Sequence, residues 1–439
     1  MKKAASLFLA LSFLALNLTA LDLKEAEKYK NSTFEKLIQD IQSRLDNPSL
    51  PEPELSKEAQ DDHLKSDPRN YLRVSARDKK ERTKLLELGM DIVEVRKDAV
   101  LGFAHYKDVQ KISEKDFLIL EKKTFYDWVM SALKDFPAAD AAYHNYAETQ
   151  ETLKALAAAN SDIASFFSIG KTIEGRDIWC LRINSSSKVA RKSSKPGAVF
   201  VGTHHAREHL SNEVPLLFAA YLMDHRKDAE IKKYIETLDI YIIPLFNPDG
   251  AEYDVATGKY RWQRKNMRVN ADKSIGVDLN RNYDATWCES GSSHSSYSDT
   301  YCGTGPFSEP ESQAMKKFVE ARKNLKTLQS YHSYASLIMY PWGGLYDPVP
   351  DEKDRAAFIK MAGKMGELTG YEAIQSSDLY AASGDTCDWA YAQAKIFAFT
   401  TELEGSSFYP GAGIIKNTVE KNIKAAVYLL SMTADPYKQ

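Results

Sequence analysis

The feature that most constrains the fold of this chain is a set of short apolar runs, each followed at once by polar side chains. Residues 198–202 form such a run, and the segment 203–209 after it carries three histidines, an arginine and a glutamate. The run 240–246 is also apolar, and 325–331 and 396–401 read as further strands. Short apolar runs of this kind are typical of strands covered on both faces of a sheet. The sequence therefore predicts at least four core strands.

Amphipathic stretches lie between these strands and predict helices. They cover residues 212–224, 309–324, 353–369 and 417–432. Strands that alternate with helices form an α/β sheet. We therefore predict a mixed, mostly parallel twisted sheet with helices on both faces, beginning near residue 143.

Polar groups follow the predicted strands at equivalent positions. His205 and Glu208 follow the first strand, residues 247–250 follow the second, His332 follows the third and Glu402 follows the last. Functional groups in open α/β sheets collect at the carboxyl ends of the strands. We therefore expect these side chains to meet in one site.

Two histidines and a glutamate in this arrangement form a ligand set for zinc. Zn²⁺ takes imidazole and carboxylate ligands, and a catalytic site needs three protein ligands and an open position. His205 with Glu208, or His204 with Glu208, supplies the first two ligands, and the residues alone leave both pairings open. A polar helix start is the non-metal alternative. His332 is the natural third ligand, although a lone histidine there is more often a packed core residue.

Glu402 is the candidate base of a hydrolytic reaction. A zinc-bound water has its pKa lowered to roughly 7, and a carboxylate at the same edge of the sheet can take its proton and carry it to the leaving amine. The alternative for Glu402, as for Glu404, is an ordinary surface acid at a strand end.

The sequence pattern of the N-terminal third predicts three segments and a linker before the large domain. Residues 1–20 have a basic start, an apolar core and a plausible cleavage site, which is typical of a secretory signal. Residues 21–70 are charged and proline-spotted and predict a loosely packed leader with one helix near 33–45. Residues 71–123 read as strand, helix, two strands, helix and strand, a small α/β open sandwich. A charged and then irregular linker follows over 124–142.

The composition gives little information about binding partners. The formal net charge is −3 and no block of like charge indicates a nucleic-acid tail. No cysteine follows the signal, and no other run approaches the ~20 apolar residues of a membrane span, so we expect an exported protein without a membrane anchor. Export permits disulfides, and we expect Cys288 and Cys302 to form one across a loop. Cys180 and Cys387 are expected to be buried thiols.

Seven ordered motifs resemble the funnelin-type zinc metallocarboxypeptidases, the family of the pancreatic carboxypeptidases A and B and of secreted bacterial, carboxypeptidase T-like enzymes. The resemblance runs from about residue 143 to the end of the chain. The motifs are Gly-Thr-His-His-Ala-Arg-Glu at 202–208, Asn-Pro-Asp-Gly at 247–250, Arg-Lys-Asn at 264–266, Gly-Val-Asp-Leu-Asn-Arg-Asn at 276–282, His-Ser-Tyr at 332–334, the segment 380–389 and Phe-Thr-Thr-Glu-Leu at 399–403.

The resemblance implies a role for most of these residues. Its His-x-x-Glu motif falls on His205 and Glu208, which leaves His204 as a neighbour, and implies one Zn²⁺ held with His332. It assigns Glu402 and Arg264 to catalysis. The remaining implied residues bind substrate: Arg207, Asn280, Arg281, Ser333, Tyr334 and Tyr380, the last as a mobile cap.

These implied roles make physical sense for an exopeptidase. A planar guanidinium such as that of Arg281 binds a C-terminal carboxylate bidentately, beside the amide of Asn280. Arg264 can face the oxyanion that develops on the scissile carbonyl. Relatives place a tryptophan directly before this arginine, whereas Trp262 lies two residues before Arg264 here. Arg261 is therefore an alternative candidate for the catalytic arginine.

The resemblance also bears on which terminal residue is removed. The family position that sets the pocket floor falls on Cys387, and a small, mildly apolar thiol favours hydrophobic terminal residues. Asp385 lies two residues earlier, and an aspartate in this segment of similar bacterial enzymes serves basic side chains. We therefore expect hydrophobic preference with tolerance of Arg and Lys.

The small domain is similar in size and element order to the activation segment of the family. If the small domain covers the site, the chain is a zymogen, and a protease that cuts within about 122–142 activates it. The alternative is a stable accessory domain that is not removed. We expect a monomer that acts on peptide and protein C termini in the periplasm or the medium.

Two other functions remain open from the sequence. A cell-wall peptidase of the same fold would cut near diaminopimelate in peptidoglycan, and the Asn280, Arg281 and Tyr380 set favours ordinary C termini instead. A catalytically inactive peptide-binding module would be expected to lose one of the ligands or Glu402, and this chain has all four.

Overall fold

The computed structural model describes residues 34, 36–39, 67–132, 138–185, 193–255 and 260–438. The predicted signal peptide and most of the predicted leader lie outside these residues. Residues 34 and 36–39 of the leader are helical, and Phe34, Leu37 and Ile38 are buried in the core of the large domain, whereas residues 69–70 already belong to a strand. The leader is therefore packed more tightly here than its composition predicts.

The small domain is a four-stranded antiparallel sheet with two helices on one face. Its elements are β1 Arg69–Ser75, α1 Lys79–Glu87, β2 Met90–Val95, β3 Ala99–His105, α2 Tyr106–Glu114 and β4 Ile119–Thr124. The strand order is β2-β3-β1-β4. Leu72, Val74, Leu86 and Ile112 are buried between the sheet and the helices. The order strand, helix, two strands, helix, strand agrees with the sequence prediction.

The predicted irregular linker is wrong for its first half. Residues Phe125–Ala132 form helix α3 directly after β4. The aromatic side chains of Phe125 and Trp128 explain this helix, because both lie against Phe103 of β3, with ring centroids 5.7 and 4.8 Å away. Burial of two large aromatic rings stabilises a segment whose charged surroundings suggested a loop. Residues 133–137 of the predicted linker lie outside the described part of the chain.

The large domain contains an eight-stranded mixed sheet. Its strands are β5 Ala164–Lys171, β6 Asp177–Ile183, β7 Gly197–Gly202, β8 Asp239–Ile243, β9 Leu325–Ser333, β10 Leu337–Tyr340, β11 Glu372–Gln375 and β12 Phe397–Leu403. The order is β11-β10-β12-β9-β7-β8-β6-β5. The pairs β11·β10, β12·β9, β9·β7 and β7·β8 are parallel, and the other three are antiparallel. The predicted mixed, mostly parallel sheet is confirmed.

Helices cover both faces of this sheet. They are α4 Tyr146–Ala159, α5 Leu210–Asp224, α6 Ala229–Thr237, α7 Pro248–Val255, α8 Pro310–Glu320, α9 Glu352–Thr369, α10 Ser376–Leu379, α11 Thr386–Ala394 and α12 Ile415–Thr433. Alternate residues of β7 point to opposite faces. Phe200 belongs to the core under α5, α9 and α12, whereas Val199 and Val201 belong to the core under α8 and α11. Both faces of β7 are thus buried, which is why its sequence is apolar throughout.

The cysteines behave as predicted. Cys288 and Cys302 form a disulfide that closes a loop in the large domain, and Cys180 and Cys387 are buried free thiols. Among the described residues, the helices are too short or too polar to cross a membrane.

Candidate active site

Three side chains converge at the carboxyl edge of the sheet, where the adjacent parallel strands β7 and β9 end. His205 and Glu208 lie in the turn between β7 and α5, and His332 lies near the end of β9. Glu208 Oε1 is 2.8 Å from His205 Nδ1, and Glu208 Oε2 is 3.0 Å from His332 Nδ1. The two Nδ1 atoms are 3.1 Å apart, and all three side chains are buried. The structure therefore brings together the three residues predicted from sequence as ligands.

A glycine makes the sharp turn after β7 possible. A Cβ on Gly202 would lie 2.0 Å from the carbonyl oxygen of Ser211 and 2.7 Å from that of Pro244. Only glycine allows this approach of α5 and the β8 end to the strand. Packing α5 against the end of β7 places His205 and Glu208 at the sheet edge.

The chemistry of these donors fits a cation. His205 Nε2 is 3.1 Å from a carboxylate oxygen of Asp278. A carboxylate only accepts, so Nε2 carries the proton and Nδ1 presents a lone pair. That lone pair faces a carboxylate oxygen of Glu208 at 2.8 Å. A proton or a metal cation must lie between these two atoms, and among metal cations this two-His, one-Glu set favours Zn²⁺.

Asp278 is a functional residue to which the sequence analysis assigned no role. Besides holding His205, its carboxylate accepts hydrogen bonds from Arg264 Nε at 3.0 Å and from the backbone N–H of Asn280 at 2.9 Å. Burial alone would raise the pKa of Asp278, but Arg264 and His205 outweigh burial and hold that pKa well below its usual range. The sequence feature that could have revealed this role is the position of Asp278 inside the 276–282 motif.

Glu402 lies beside the ligand set because its strand pairs with that of His332. The parallel register of β12 and β9 matches Glu402 with His332. Burial, and then the nearby carboxylate of Glu208, raise the pKa of Glu402 to about 8 against the opposing positive charges of Arg264 and Arg281. A carboxyl group with this pKa exchanges a proton near neutral pH, which is the property required of a general base.

A cavity of about 60 Å³ joins these groups to the predicted substrate residues. Its lining residues are His205, Arg264, Asn280, Arg281, His332, Met339, Gly343, Ser376, Leu379, Tyr380, Ala382, Asp385, Thr400 and Glu402. The structure places Arg264 in this wall, with Nη1 4.0 Å from Glu208 Oε1. Arg261, the alternative in register, lies over the ring of Tyr253 and does not line the cavity.

Comparison with known proteins identifies the family of this arrangement. A family model described as zinc carboxypeptidase matches residues 149–425. A zinc carboxypeptidase from Saccharothrix mutabilis subsp. capreolus is 31% identical over 398 residues, which cover 85% of this chain and 91% of that one. Carboxypeptidase A1 from Homo sapiens is 34% identical over 291 residues, which cover 64% of this chain and 68% of that one.

The chain belongs to the zinc carboxypeptidase family.

A crystal structure of carboxypeptidase A from Helicoverpa armigera has the same fold. It superposes with a TM-score of 0.70 at 23% identity, and the match covers 84% of this chain and 98% of that one. The chain is thus a zinc metallocarboxypeptidase, and the His205, Glu208 and His332 cluster is its candidate site for one Zn²⁺.

Asn280 and Arg281, the predicted carboxylate-binding residues of this zinc carboxypeptidase, line the cavity. Arg281 Nη1 donates to the carbonyl of Asn280 at 2.8 Å, and its Nε donates to the carbonyl of Gly291 at 3.2 Å. Among the described residues, no carboxylate lies within 4 Å of this guanidinium. Neutral carbonyls orient Arg281 without cancelling its charge.

The side-chain pocket differs from the prediction at one position. Asp385 and Thr400 line the cavity, whereas Cys387 does not. The thiol of Cys387 is buried and lies 3.2 Å from Thr400 Oγ1. Asp385 caps α11 through the N–H groups of Cys387 and Asp388, and this capping turns the thiol away from the cavity. Of the two residues predicted for the side-chain pocket, Asp385 lines the cavity and Cys387 does not.

The small domain covers the outer side of the zinc carboxypeptidase site. Asp91 of β2 is buried against two arginines of the large domain: Arg207 Nη2 donates to Asp91 Oδ2, and Arg264 Nη1 is 3.8 Å from Asp91 Oδ1. Burial would raise the pKa of Asp91, but Arg207 and Arg264 outweigh it and lower that pKa. The Arg207 guanidinium also lies over the ring of Phe408.

Tyr380, the predicted cap, is held by the same domain. Its side chain packs on the small-domain core, and the N–H of Ala381 donates to Thr83 Oγ1 of α1 at 2.9 Å. Lys79 pairs with Asp378 at 3.1 Å on the same side. The segment that carries the cap is therefore tied to α1 on both sides of Tyr380.

Ser333 and Tyr334, two further predicted substrate residues, are not part of the cavity lining. The N–H of Ser333 donates to Glu208 Oε2 at 3.2 Å, and its hydroxyl is buried without a protein partner among the described residues. Tyr334 packs against Phe408. His209, which had no predicted role, donates from Nε2 to the carboxylate of Asp254 at 2.9 Å and lies beside Tyr260, outside the cavity.

Proposed function

We propose that this zinc carboxypeptidase is an exported monomer that hydrolyses the C-terminal bond of peptides and proteins by glutamate-assisted attack of water. The observation that carries the proposal is that one cavity is lined at the same time by two of the candidate metal ligands, by Glu402 and by the Asn280 and Arg281 anchor. An exopeptidase must read a free carboxylate and cleave the adjacent bond. This cavity holds groups for both tasks.

Each side chain has a defined task in the reaction. His205, Glu208 and His332 would hold Zn²⁺, which would supply acidification of water and polarisation of a carbonyl. Glu402 takes the proton from the attacking water and delivers it to the leaving amine. Arg264, held by Asp278, presents its charge where negative charge develops on the carbonyl oxygen.

The anchor explains why a free C terminus is needed. Arg281 places a guanidinium without a direct ion pair among the described residues in a buried wall, and Asn280 adds an amide donor beside it. A substrate carboxylate supplies the missing negative charge through charge-assisted hydrogen bonds. An amidated C terminus lacks that charge and is a poor substrate.

The pocket favours hydrophobic terminal residues and tolerates Arg and Lys. Met339, Leu379 and Ala382 supply apolar lining, and Asp385 supplies one carboxyl group. Burial raises the pKa of Asp385, so its attraction for a cationic side chain grows as the pH increases and the carboxyl ionises.

The full chain is a zymogen in this proposal. Asp91 places a carboxylate between Arg207 and Arg264, where it competes with substrate groups for the same charges. Tyr71 and Phe103 of the small domain also share an apolar cluster with Trp262 and Phe408 of the large domain. Because α3 extends the small domain to Ala132, an activating protease cuts beyond that residue.

The deciding experiment measures release of terminal residues by the zinc-loaded full chain before and after limited proteolysis. Substrates are matched peptides that end in Phe, Arg or an amide, with and without a chelator. Glu402→Gln is compared with Glu404→Gln, a matched control at the same strand end that pairs with Lys421 on the surface. We expect chelation and Glu402→Gln to abolish release from free C termini and Glu404→Gln to have no effect.

Two results would contradict the proposal. Release that survives both chelation and Glu402→Gln removes the mechanism. Release of diaminopimelate from peptidoglycan peptides without release from ordinary peptides points to a cell-wall peptidase instead.

A further inference from the structure

A continuous path of buried hydrogen bonds connects Asn280 to the candidate metal ligand His332. The path passes through His204. Thr386 Oγ1 is 2.9 Å from Asn280 Oδ1 and 3.0 Å from His204 Nε2. Ser330 Oγ is 3.3 Å from His204 Nδ1 and 3.1 Å from His332 Nε2. All five side chains are buried. His204, which the reaction does not use, stands at the middle of this path.

The direction of the path is determined at the anchor. The backbone N–H of Thr386 also meets Asn280 Oδ1, at 3.0 Å, and an N–H can only donate, so this atom of Asn280 is the carbonyl oxygen. The amide nitrogen of Asn280 is then turned away from Thr386. The carbonyl oxygen cannot donate either, so the single proton of the Thr386 hydroxyl points to Asn280.

The same reasoning fixes the tautomers of both histidines. The Thr386 hydroxyl has given its proton to Asn280 and must accept from His204, so His204 Nε2 carries a proton. In the neutral tautomer that carries this proton, His204 Nδ1 has the lone pair and accepts from Ser330. Ser330 then accepts from Nε2 of His332. His332 is left with its lone pair on Nδ1, the atom that faces Glu208 and His205.

We propose that His204 and Thr386 are positioning residues that hold the Asn280 amide in its carboxylate-binding orientation and His332 in its metal-binding tautomer through one directed chain of hydrogen bonds. The inference rests on the proposed function for the role of Asn280. Asp278 closes the arrangement from the other side, because it holds both the Asn280 N–H and His205 Nε2.

A chain of this kind has a physical advantage in a buried site. Each hydroxyl has one proton, so reversing one bond forces all the others to reverse or leaves two acceptors face to face. Partners that orient metal-binding histidines typically contribute 10- to 100-fold to metal affinity. A break at Thr386 therefore disturbs both the anchor and the ligand.

The test compares Thr386→Val, Thr386→Ser and Tyr283→Phe in the zinc-loaded full chain, before and after limited proteolysis. Val keeps the shape of Thr without the hydroxyl, and Ser keeps the hydroxyl. Tyr283→Phe is the matched control, because the Tyr283 hydroxyl also lies 3.1 Å from His204 Nε2 but is not part of the path. The readouts are KM and kcat on peptides, and zinc affinity measured by competition with a chromogenic chelator.

We expect Thr386→Val to raise KM and to weaken zinc binding, each by about 10-fold, with a smaller change in kcat. Thr386→Ser restores both values to within about twofold of the parent, and Tyr283→Phe stays within the same range. The result that overturns the inference is a Thr386→Val chain with lower thermal stability but unchanged KM and zinc affinity, or three variants that behave alike. If the parent chain releases no amino acids, the proposed function fails, and the zinc affinities still decide the His332 half of this inference.

Discussion

Two arginines with the same predicted task occupy opposite environments in this structure. Arg207, on the side of the site that faces the small domain, is fully buried and bonded to the carboxylate of Asp91. Arg281, in the lining of the cavity, donates to two backbone carbonyls. One arginine has its charge compensated by another domain, and the other keeps its charge for a ligand.

This difference indicates how the domain arrangement relates to the chemistry. The inner half of the site, with Arg281, Asn280 and Glu402, is complete within the large domain. The outer half, with Arg207 and Tyr380, is occupied by groups of the small domain. Removal of the small domain is therefore expected to change the outer half and leave the inner half as it is.

The largest expected effect comes from Arg281→Ala. Loss of a bidentate, charge-assisted contact to the terminal carboxylate lowers kcat/KM of the processed enzyme by about 1,000-fold, at roughly 1.5–3 kcal/mol for each bond. Arg207→Ala lowers it by only about 10-fold, because one such contact further from the scissile bond is lost. Steady-state kinetics on one peptide with both variants checks this order. Equal losses would show that the two arginines do the same work and would break the comparison.

Asp91→Asn tests the outer half directly. An amide keeps the shape of the carboxylate but loses its attraction to Arg207 and Arg264, so we expect peptidase activity of the unprocessed chain to rise by about 10-fold. The processed enzyme, which lacks residue 91, is the reference. Asp98→Asn, at an exposed position of the same domain, serves as the control. Unchanged activity in Asp91→Asn would mean that the apolar contact around Trp262 alone keeps the small domain in place.

The pH profile separates the two arginines again. Glu402 acts as a base only when ionised, so kcat/KM rises with pH as this carboxyl loses its proton. Burial and the carboxylate of Glu208 raise its pKa to about 8 without a metal ion, and the positive charge of bound Zn²⁺ favours the ionised form, so the acid limb lies below pH 8. Arg281 lowers this pKa, so Arg281→Ala shifts the limb to higher pH, whereas Arg207→Ala leaves it in place. A limb that is the same in both variants would assign the titration to another group.

The smallest expected effect concerns the terminal side chain. Asp385→Asn lowers the rate of Arg release relative to Phe release by about fivefold, the size of a partly solvated ion pair. Cys387→Ser changes this ratio by less than about twofold, because the thiol lies outside the cavity lining. Competition assays with paired peptides measure both ratios. A larger change for Cys387→Ser than for Asp385→Asn would restore the thiol as the pocket floor.

Much of the large domain could be predicted from local patterns. Apolar runs such as 198–202 predict covered strands because both faces of β7 must be buried, and the helices over 353–369 and 417–432 follow from amphipathic spacing. Helix α3 was missed because the aromatic contacts that stabilise it come from β3, more than twenty residues away. The local charge pattern predicted a linker in this segment, whereas tertiary packing stabilises a helix there.

The candidate site shows the same division. His205, Glu208, His332 and Glu402 were recognised because each follows a strand, and strand ends meet at one edge of a parallel sheet. The role of Asp278 was missed, because a carboxylate that orients other side chains has no spacing rule of its own. The position of Cys387 outside the cavity lining could not be predicted, because it depends on how α11 packs against Thr400 of β12.

The sequence by itself predicted the fold class, the disulfide, the ligand set and the candidate base. Residue types at strand ends indicated the site, and the family resemblance chose His205 over His204. Only the tertiary structure decided which arginine is compensated, which residues line the pocket and how His204 connects Asn280 to His332. Those features depend on contacts between segments that are distant in the chain, such as Asp91 with Arg207 and Thr386 with His204. Their geometry is set by how the domains and helices pack, and no local pattern of residues encodes it.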